Sequence, residues 1–369
     1  MRQSPDPDPD PDLDAACPSL GRSLTSPVPE TPRAQVWCRS RLLTRVRTCS
    51  TGSMSFLGDK SAKTFVAGHR GMIGTAAHRK LAALGFNSIV VRTHAELDLT
   101  CQHAVDTFFD AEQPRYVILC AAKSGGVHAA LSAPAEYLTK NLGIIFNVMT
   151  AAQRCGSVRK LLILASATIY PEDAWQPIPE SAFLSGPPAP GSEWYSIAKI
   201  AGIKMCQAYR EEHGMDAIAA SPNNIYGPRN PFPSESSHVI PALIRRFHHA
   251  KVTGAPEAVV WGSGAALREF THVDDLVEAL VLLMDRYSGL EHVNVGSGEE
   301  MSVRELAEMV KEVVGYEGRV VWDASRPDGV PRRLIDSSKM RKLGWKPKVA
   351  LRDGLIEMYQ LYCRQQDEA

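Results

Sequence analysis

The sequence lacks a surplus of either charge. Its 41 Lys and Arg are matched by 41 Asp and Glu. Nucleic acid or an anionic membrane as partner would favour a basic excess, so neither is expected. Long apolar runs are missing too: no stretch reaches the ~20 residues that span a bilayer. The 8 cysteines are scattered through the chain. None forms a C-x-x-C pair, and none stands at metal-ligand spacing from a histidine. That usage fits a reducing compartment. The expectation is a cytoplasmic protein with no disulfide and no metal. No internal repeat is visible. What is there is a chain of 369 residues, 44% hydrophobic and 22% charged, long enough for one large α/β domain or two smaller ones.

The N-terminal part is a different kind of sequence. "SPDPDPDPDLD" alternates Pro and Asp, cannot build a helix and offers no apolar face. "RSRLLTRVRTCSTGS" then combines Arg, Ser and Thr without acids, as a transit peptide does, but the acidic start argues against one. Residues 1–62 are therefore expected to be a disordered extension, with Met54 as the natural opening of the compact protein.

From Lys63 onward, apolar runs of strand length alternate with helical stretches. "TFVAG", "NSIVVRT", "RYVILCAA", "KLLILAS", "DAIAAS" and "HVNVGS" are the strands. "TAAHRKLAAL", "APAEYLTKNLGIIFNVMTAAQRC" and "EWYSIAKIAGIKMCQAYREEHG" are among the helices. Short, wholly apolar strands between amphipathic helices indicate a parallel sheet covered on both faces. This predicts an α/β protein with a doubly wound sheet of Rossmann type, whose ligands bind at the carboxyl ends of the strands.

The first strand runs into "AGHRGMIG", a G-x-x-G-x-x-G loop with Gly68, Gly71 and Gly74. Glycines there permit a tight turn, backbone approach to a pyrophosphate and close packing of the following helix. A glycine trio alone is weak, and the strand before and helix after strengthen it. A site for NAD usually has an acid at the end of the second strand for the ribose 2′-hydroxyl. This chain has Arg92 there and Arg70 in the glycine loop. Two guanidinium groups suit a 2′-phosphate, which points to NADPH. The bland alternative is a pair of solvated surface arginines.

"EWYSIAKIAG" carries Tyr195 and Lys199, four apart and so on one helix face. A tyrosine hydroxyl with pKa near ~10 is a poor proton donor at neutral pH. A nearby ammonium is expected to lower that value. The pair can then give a proton to a carbonyl oxygen as hydride reaches the carbon. Ser166, at the end of the strand in "LLILASATIYP", fits a third role, hydrogen bonding the same oxygen. Alone, Y-x-x-x-K is common on amphipathic helices as simple packing.

Taken together, the glycine loop, Ser166 and Tyr195-x-x-x-Lys199 resemble the extended short-chain dehydrogenase/reductase family. "AGHRGMIG", "EWYSIAKIAGIK", "SSHVIPALIRRFH", "VVWGSGAALREFTHVDDL" and "PDGVPRR" are similar to the GDP-L-fucose synthase family within it, from about Lys63 to the end. The resemblance implies NADPH as cofactor, GDP-4-keto-6-deoxy-D-mannose as substrate, and a homodimer packed through helices. It implies an NADP-binding Rossmann domain over 63–222 and 270–297, and a smaller GDP-sugar-binding region over 223–269 and 298–369. Gly68, His69, Arg70, Gly71, Met72, Ile73 and Gly74 would hold the pyrophosphate, with Arg70 and Arg92 on the 2′-phosphate. Ser166, Tyr195 and Lys199 would carry reduction. Pro222, Asn223, Asn224 and Ile225 would flank the nicotinamide. His238 would be a catalytic histidine that also borders the cofactor, although by its residues alone it reads as a helix-start residue satisfied by backbone. Arg246, Trp261, Arg268 and Asp328 would hold the GDP part, and Trp261 would equally serve as core.

One departure bears on the chemistry. The family pattern at the fourth strand's end is Gly-Ser-Ser-Cys followed by Ile-Tyr-Pro, and this chain has Ala165-Ser166-Ala167-Thr168-Ile169-Tyr170-Pro171. Asn223 also stands where the family has Thr, and Ser124 and Leu131 lie in a second altered stretch. Epimerisation at C3 and C5 needs proton-transfer groups on opposite faces of the ring. His238 suits one. A thiol of pKa near ~8.5 suits the other, whereas a threonine hydroxyl does not ionise at pH 7. The expected activity is NADPH-dependent 3,5-epimerisation and 4-keto reduction to GDP-L-fucose. The alternatives are a 4-reductase with impaired epimerisation because of Thr168, and a non-catalytic paralogue acting as a binding subunit.

Overall fold

The computed structural model describes residues 55–367 apart from 126, 231, 233–237 and 327. The extension expected over 1–62 lies outside the described residues as far as 54. Residues 55–62 differ from that expectation. Phe56 is buried, with its ring centroid 4.8 Å from that of Phe86 and 4.9 Å from that of Tyr116. Asp59 pairs with Arg115 at 2.9 Å. A single aromatic gives this short segment enough apolar area to dock, a signal too small to outweigh the composition around it.

Six parallel strands form the main sheet: β1 (Thr64–Ala67), β2 (Ile89–Val90), β3 (Tyr116–Leu119), β4 (Lys160–Leu164), β5 (Ala217–Pro222) and β9 (Val293–Val295), in the order β2-β1-β3-β4-β5-β9. Each apolar run singled out in the sequence becomes one of them. Along β4, Leu161 and Ile163 face one apolar cluster while Leu162 and Leu164 face the other, as the two-residue strand period requires. On one face lie α1 (Met72–Ala83) and α7 (Val273–Arg286). On the other lie α2 (Gln102–Glu112), α4 (Pro134–Cys155) and α5 (Glu193–His213), with the short α3 (Val127–Ser132) leading into α4. This is the doubly wound fold the pattern predicts.

A third apolar cluster holds the smaller region together. It is built on α6 (Val239–Val252), α8 (Val303–Val314), α10 (Leu351–Asp367) and the parallel pair β7 (Glu257–Trp261) and β11 (Arg319–Asp323). A small mixed sheet, β10 (Glu300–Ser302), β8 (Leu267–His272) and β12 (Arg332–Arg333), joins β6 (Asn224–Tyr226) through β8. The chain then returns to the first body earlier than expected. Around α9 (Ser338–Lys342), Met340 and Trp345 are buried in the cluster formed by α1 and α7. The Asp275 carboxylate of α7 accepts from the backbone N–H of Lys348 at 2.9 Å and of Val349 at 3.0 Å. Burial of one Trp and one Met against α7 outweighs chain proximity to the smaller region.

Candidate active site

Strand order places a crevice where β1 and β3 lead to opposite sides of the sheet. Gly68 ends β1 there with φ +82°, and a Cβ on it would lie 2.7 Å from the Ala121 backbone nitrogen just beyond β3. A Cβ at Gly74 would lie 2.1 Å from the Gly68 carbonyl oxygen, so only glycine lets α1 pack against the turn. Gly71 has no such steric reason. It is the N-cap of α1 and offers no side-chain cap, which leaves the first-turn N–H groups open to an anion.

One cavity of about 470 Å³ opens beside this crevice. Ser166, Thr168, Tyr195, Lys199 and His238 line it together, with Met72, Ile73 and the segment Pro222 to Ile225. Arg268 reaches it from the small sheet. His69 and Arg70 line a second depression further along the glycine loop. Arg92, Arg246, Trp261 and Asp328 do not line the main cavity.

The end of β4 turns directly into a 3-10 turn, Ala167–Ile169, and Ser166 is its N-cap. Ser166 Oγ accepts from the Thr168 backbone N–H at 3.2 Å and from the Thr168 hydroxyl at 3.1 Å. A hydroxyl has two lone pairs and one proton. Both acceptor positions are filled, so the Ser166 proton is the part left for another acceptor. Below this turn, Tyr170 is buried and donates to Asn294 at 2.6 Å. Behind it, Arg333 donates to the Ala167 carbonyl at 2.9 Å.

Lys199 Nζ donates to the Leu164 carbonyl at 2.8 Å and sits 5.4 Å from the centroid of the Tyr195 ring. Burial draws its pKa down to about 8. The Tyr195 hydroxyl is raised above its ordinary value, first by burial and then by Tyr137. The expectation that Lys199 lowers the tyrosine is therefore not met here. The ammonium is anchored on a carbonyl beneath the ring, and desolvation of the phenolate dominates. A protonated phenol is nonetheless the form that can give a proton away.

His238 starts α6 at the N-cap position, but its side chain makes no capping bond. It is open to the cavity, yet surrounding protein lowers its pKa by desolvation, so the neutral base form prevails at pH 7. Asn223 Nδ2 donates to Glu269 at 2.5 Å and to the Arg333 carbonyl at 3.1 Å. Asn224 Nδ2 donates to Asn223 at 3.2 Å and to the Glu269 carbonyl at 2.9 Å. Both amide groups thus serve the fully buried Glu269, whose pKa burial raises. Asn224 Oδ1 remains as an acceptor for a ligand.

The residues expected around GDP form two contacts. Trp261 is 41% exposed, so it is not core. The guanidinium carbons of Arg246 and Arg326 lie 5.3 Å and 5.0 Å from its ring centroid. Arg268 donates to the Asp328 carbonyl at 3.2 Å. The Asp328 carboxylate accepts from Ser263 N–H at 2.7 Å and Ser263 Oγ at 2.6 Å, so it shapes the loop at Gly262 and Ser263. Arg92 is paired with Glu112 at 2.6 Å and stacked 5.5 Å from the Phe108 centroid.

Among the cavity residues that the sequence reading did not single out, two carry chemistry at the site's edge. Arg333 is buried beside Arg268, with its pKa pulled down to about 10 by burial. Its signal was its place in "PDGVPRR". Cys120 lines the cavity at the end of β3, and burial pushes its thiol up to about 12. Its position one residue past a parallel strand was the only hint.

Residues 64–296 match the model of the NAD dependent epimerase/dehydratase family. The chain is 73% identical over 312 residues to a putative GDP-L-fucose synthase 2 of Oryza sativa subsp. japonica, covering 85% of this chain and 90% of that one. The chain belongs to the GDP-L-fucose synthases of this epimerase/dehydratase family. GDP-L-fucose synthase 1 of Arabidopsis thaliana is 60% identical over 311 residues, 84% of this chain and 96% of its own. Among solved structures, a GDP-mannoheptose C4 reductase from Campylobacter jejuni with NADP bound matches with TM-score 0.76 and 36% identity, over 82% of this chain and 99% of that one. In a GDP-L-fucose synthase, the sheet crevice and glycine loop fit NADPH: small residues where the backbone must approach phosphate, and an exposed arginine beside them.

Proposed function

We propose that the protein converts GDP-4-keto-6-deoxy-D-mannose to GDP-L-fucose with NADPH, by 3,5-epimerisation and 4-keto reduction. The observation that carries this reading is the single cavity shared by Ser166, Tyr195, Lys199 and His238. NADPH, when bound, supplies the hydride for C4. Tyr195 gives its hydroxyl proton to the C4 oxygen, so hydride and proton together complete the alcohol. Ser166 donates its free proton as a hydrogen bond to the same oxygen as charge develops. Lys199 offers positive charge beneath the Tyr195 ring. Neutral His238 accepts or returns a ring proton at C3 or C5. Asn224 Oδ1 can accept from the nicotinamide carboxamide, and Arg70 and Arg92 attract the 2′-phosphate. The GDP half has Arg268 near the sugar end, and Trp261 with Arg246 further out.

A second reading, a 4-reductase with impaired epimerisation, is favoured by one observation. The Thr168 hydroxyl donates to Ser166, so its proton is engaged at the reduction site and no base stands ready to ionise it. For assembly, we propose a homodimer through α4 and α5, supported by the exposed Phe146 and Trp194 on those helices. The scattered cysteines support a cytoplasmic setting, and among the described residues no helix is long and apolar enough to cross a membrane. The deciding experiment incubates purified protein with the keto sugar and NADPH and identifies the product by NMR. GDP-L-fucose supports the first reading and a D-series 6-deoxy sugar the second. Tight NADPH binding without oxidation would overturn both.

A further inference from the structure

The second depression, about 330 Å³, is lined by His69, Arg70, Thr75, His78 and Arg229. Two guanidinium and two imidazole groups thus face one space, and among the described residues no carboxylate lines it. Among the described residues, neither Arg70 nor Arg229 has an ion pair. The nearest acid by charge, Glu96, is engaged by the Thr93 N–H at 2.7 Å and the Thr93 hydroxyl at 2.9 Å. His69 Nδ1 is buried without a hydrogen-bond partner. The two guanidinium groups outnumber the one nearby carboxylate, Glu96, whose charge acts on Arg70, and with the imidazoles they offer hydrogen-bond donors that favour an anion.

Its place in the fold says which anion. His69 and Arg70 belong to the glycine loop, and Thr75 and His78 lie on the first turns of α1. His69 also senses the Arg92 backbone and Glu96 just past β2. That is the end of the crevice where the adenosine ribose of a dinucleotide lies. Arg229 arrives from a different part of the chain, three residues after β6. It holds φ +66°, a conformation that is costly for a residue with a Cβ.

We propose that Arg229 and His78 complete, with His69 and Arg70, the pocket for the cofactor's 2′-phosphate. Arg92 is engaged by Glu112, whereas among the described residues no ion pair holds Arg229. The segment after β6 thereby joins the smaller region to cofactor recognition. This rests on the NADPH assignment above and adds residues to it.

The test is ligand binding to the full chain, followed by NADPH and NADH fluorescence and by calorimetry with 2′-AMP and 5′-AMP. Arg229→Gly removes the charge while keeping the backbone conformation accessible, and Arg229→Lys keeps the charge. Arg229→Gly should weaken NADPH and 2′-AMP by about tenfold or more, the usual worth of a hydrogen bond to a charged group. NADH and 5′-AMP should be unaffected, Arg229→Lys should lie between, and the thermal midpoint of Arg229→Gly should not fall below that of the unmodified protein, since glycine adopts φ > 0 without strain. Equal weakening of NADPH and NADH, or an unchanged NADPH preference in Arg229→Gly, overturns the role of Arg229. If the unmodified protein binds both cofactors alike, it is the cofactor assignment that fails.

Discussion

Thr168 Oγ1 donates to Ser166 Oγ at 3.1 Å, while the Thr168 backbone N–H donates to the same oxygen at 3.2 Å. One residue therefore fixes the orientation of the serine proposed above to bind the substrate ketone. It stands where the resemblance described above implies a cysteine. The replacement exchanges an ionisable group for a hydroxyl that points its proton at a neighbour.

The first consequence is for ring-proton exchange. In deuterated water without NADPH, a competent epimerase washes deuterium into C3 and C5 of the keto sugar. Exchange should be slower in the unmodified protein than in Thr168→Cys by about 10²-fold, the lower range for one general acid–base group. D-series product should then accompany GDP-L-fucose. Equal exchange rates, with GDP-L-fucose as sole product, would make Thr168 a neutral replacement.

The proposed reduction depends on Tyr195. Tyr195→Phe keeps the ring above Lys199 and removes the proton, so turnover should fall by about 10²–10⁴-fold. NADPH affinity, read by fluorescence, should stay within twofold or so because the ring's packing is retained. Retained turnover would reduce Tyr195 to a packing residue.

Cofactor choice gives a third outcome. Arg92→Asp should weaken NADPH by about 1.5–3 kcal/mol, the range for a hydrogen bond to a charged group. The effect should fall at the low end, because Arg92 must first part from Glu112. Identical NADPH affinity in Arg92→Asp would show that Arg92 is only the partner of Glu112 and Phe108.

Lys199 predicts a pH dependence of stability. Its folded pKa, about 8, lies below the unfolded value of ~10.4. Between these values the unfolded chain binds more protons than the folded one. Stability must therefore rise with pH across that window. Relative to Lys199→Met, the unmodified protein should gain on the order of 3 kcal/mol between about pH 8 and 10.5. Parallel denaturation curves for the two proteins over that range would contradict a buried lysine.

Trp261 offers the last. With Arg246 and Arg326 both against its ring, Trp261→Ala should raise the KM for the GDP-sugar by about tenfold, as loss of a cation–π platform that positions two arginines does. The kcat should change little, since Trp261 does not line the cavity of Ser166 and Tyr195. A fall in kcat alone would place the tryptophan elsewhere in the reaction.

The sequence by itself determined the sheet, because each of its six strands is a short apolar run, and burial on both faces, complete for all but the half-buried edge strand β2, leaves no other pattern. It likewise determined the glycine loop and the Tyr195-Lys199 face, since turn geometry and helix period are local properties. It could not decide which polar atoms are already engaged. Arg92 looks like a phosphate ligand until Glu112, twenty residues on, is found beside it. Asn223 looks like a cofactor contact until Glu269 is found taking its amide. Lys199 looks like the tyrosine's partner until the Leu164 carbonyl is found holding it. Nor could the sequence bring Arg229 to the glycine loop or Arg333 to the back of Ser166. Hydrogen bonds and desolvation depend on partners far away in the chain, so only the tertiary structure decides the charge and orientation of each functional group.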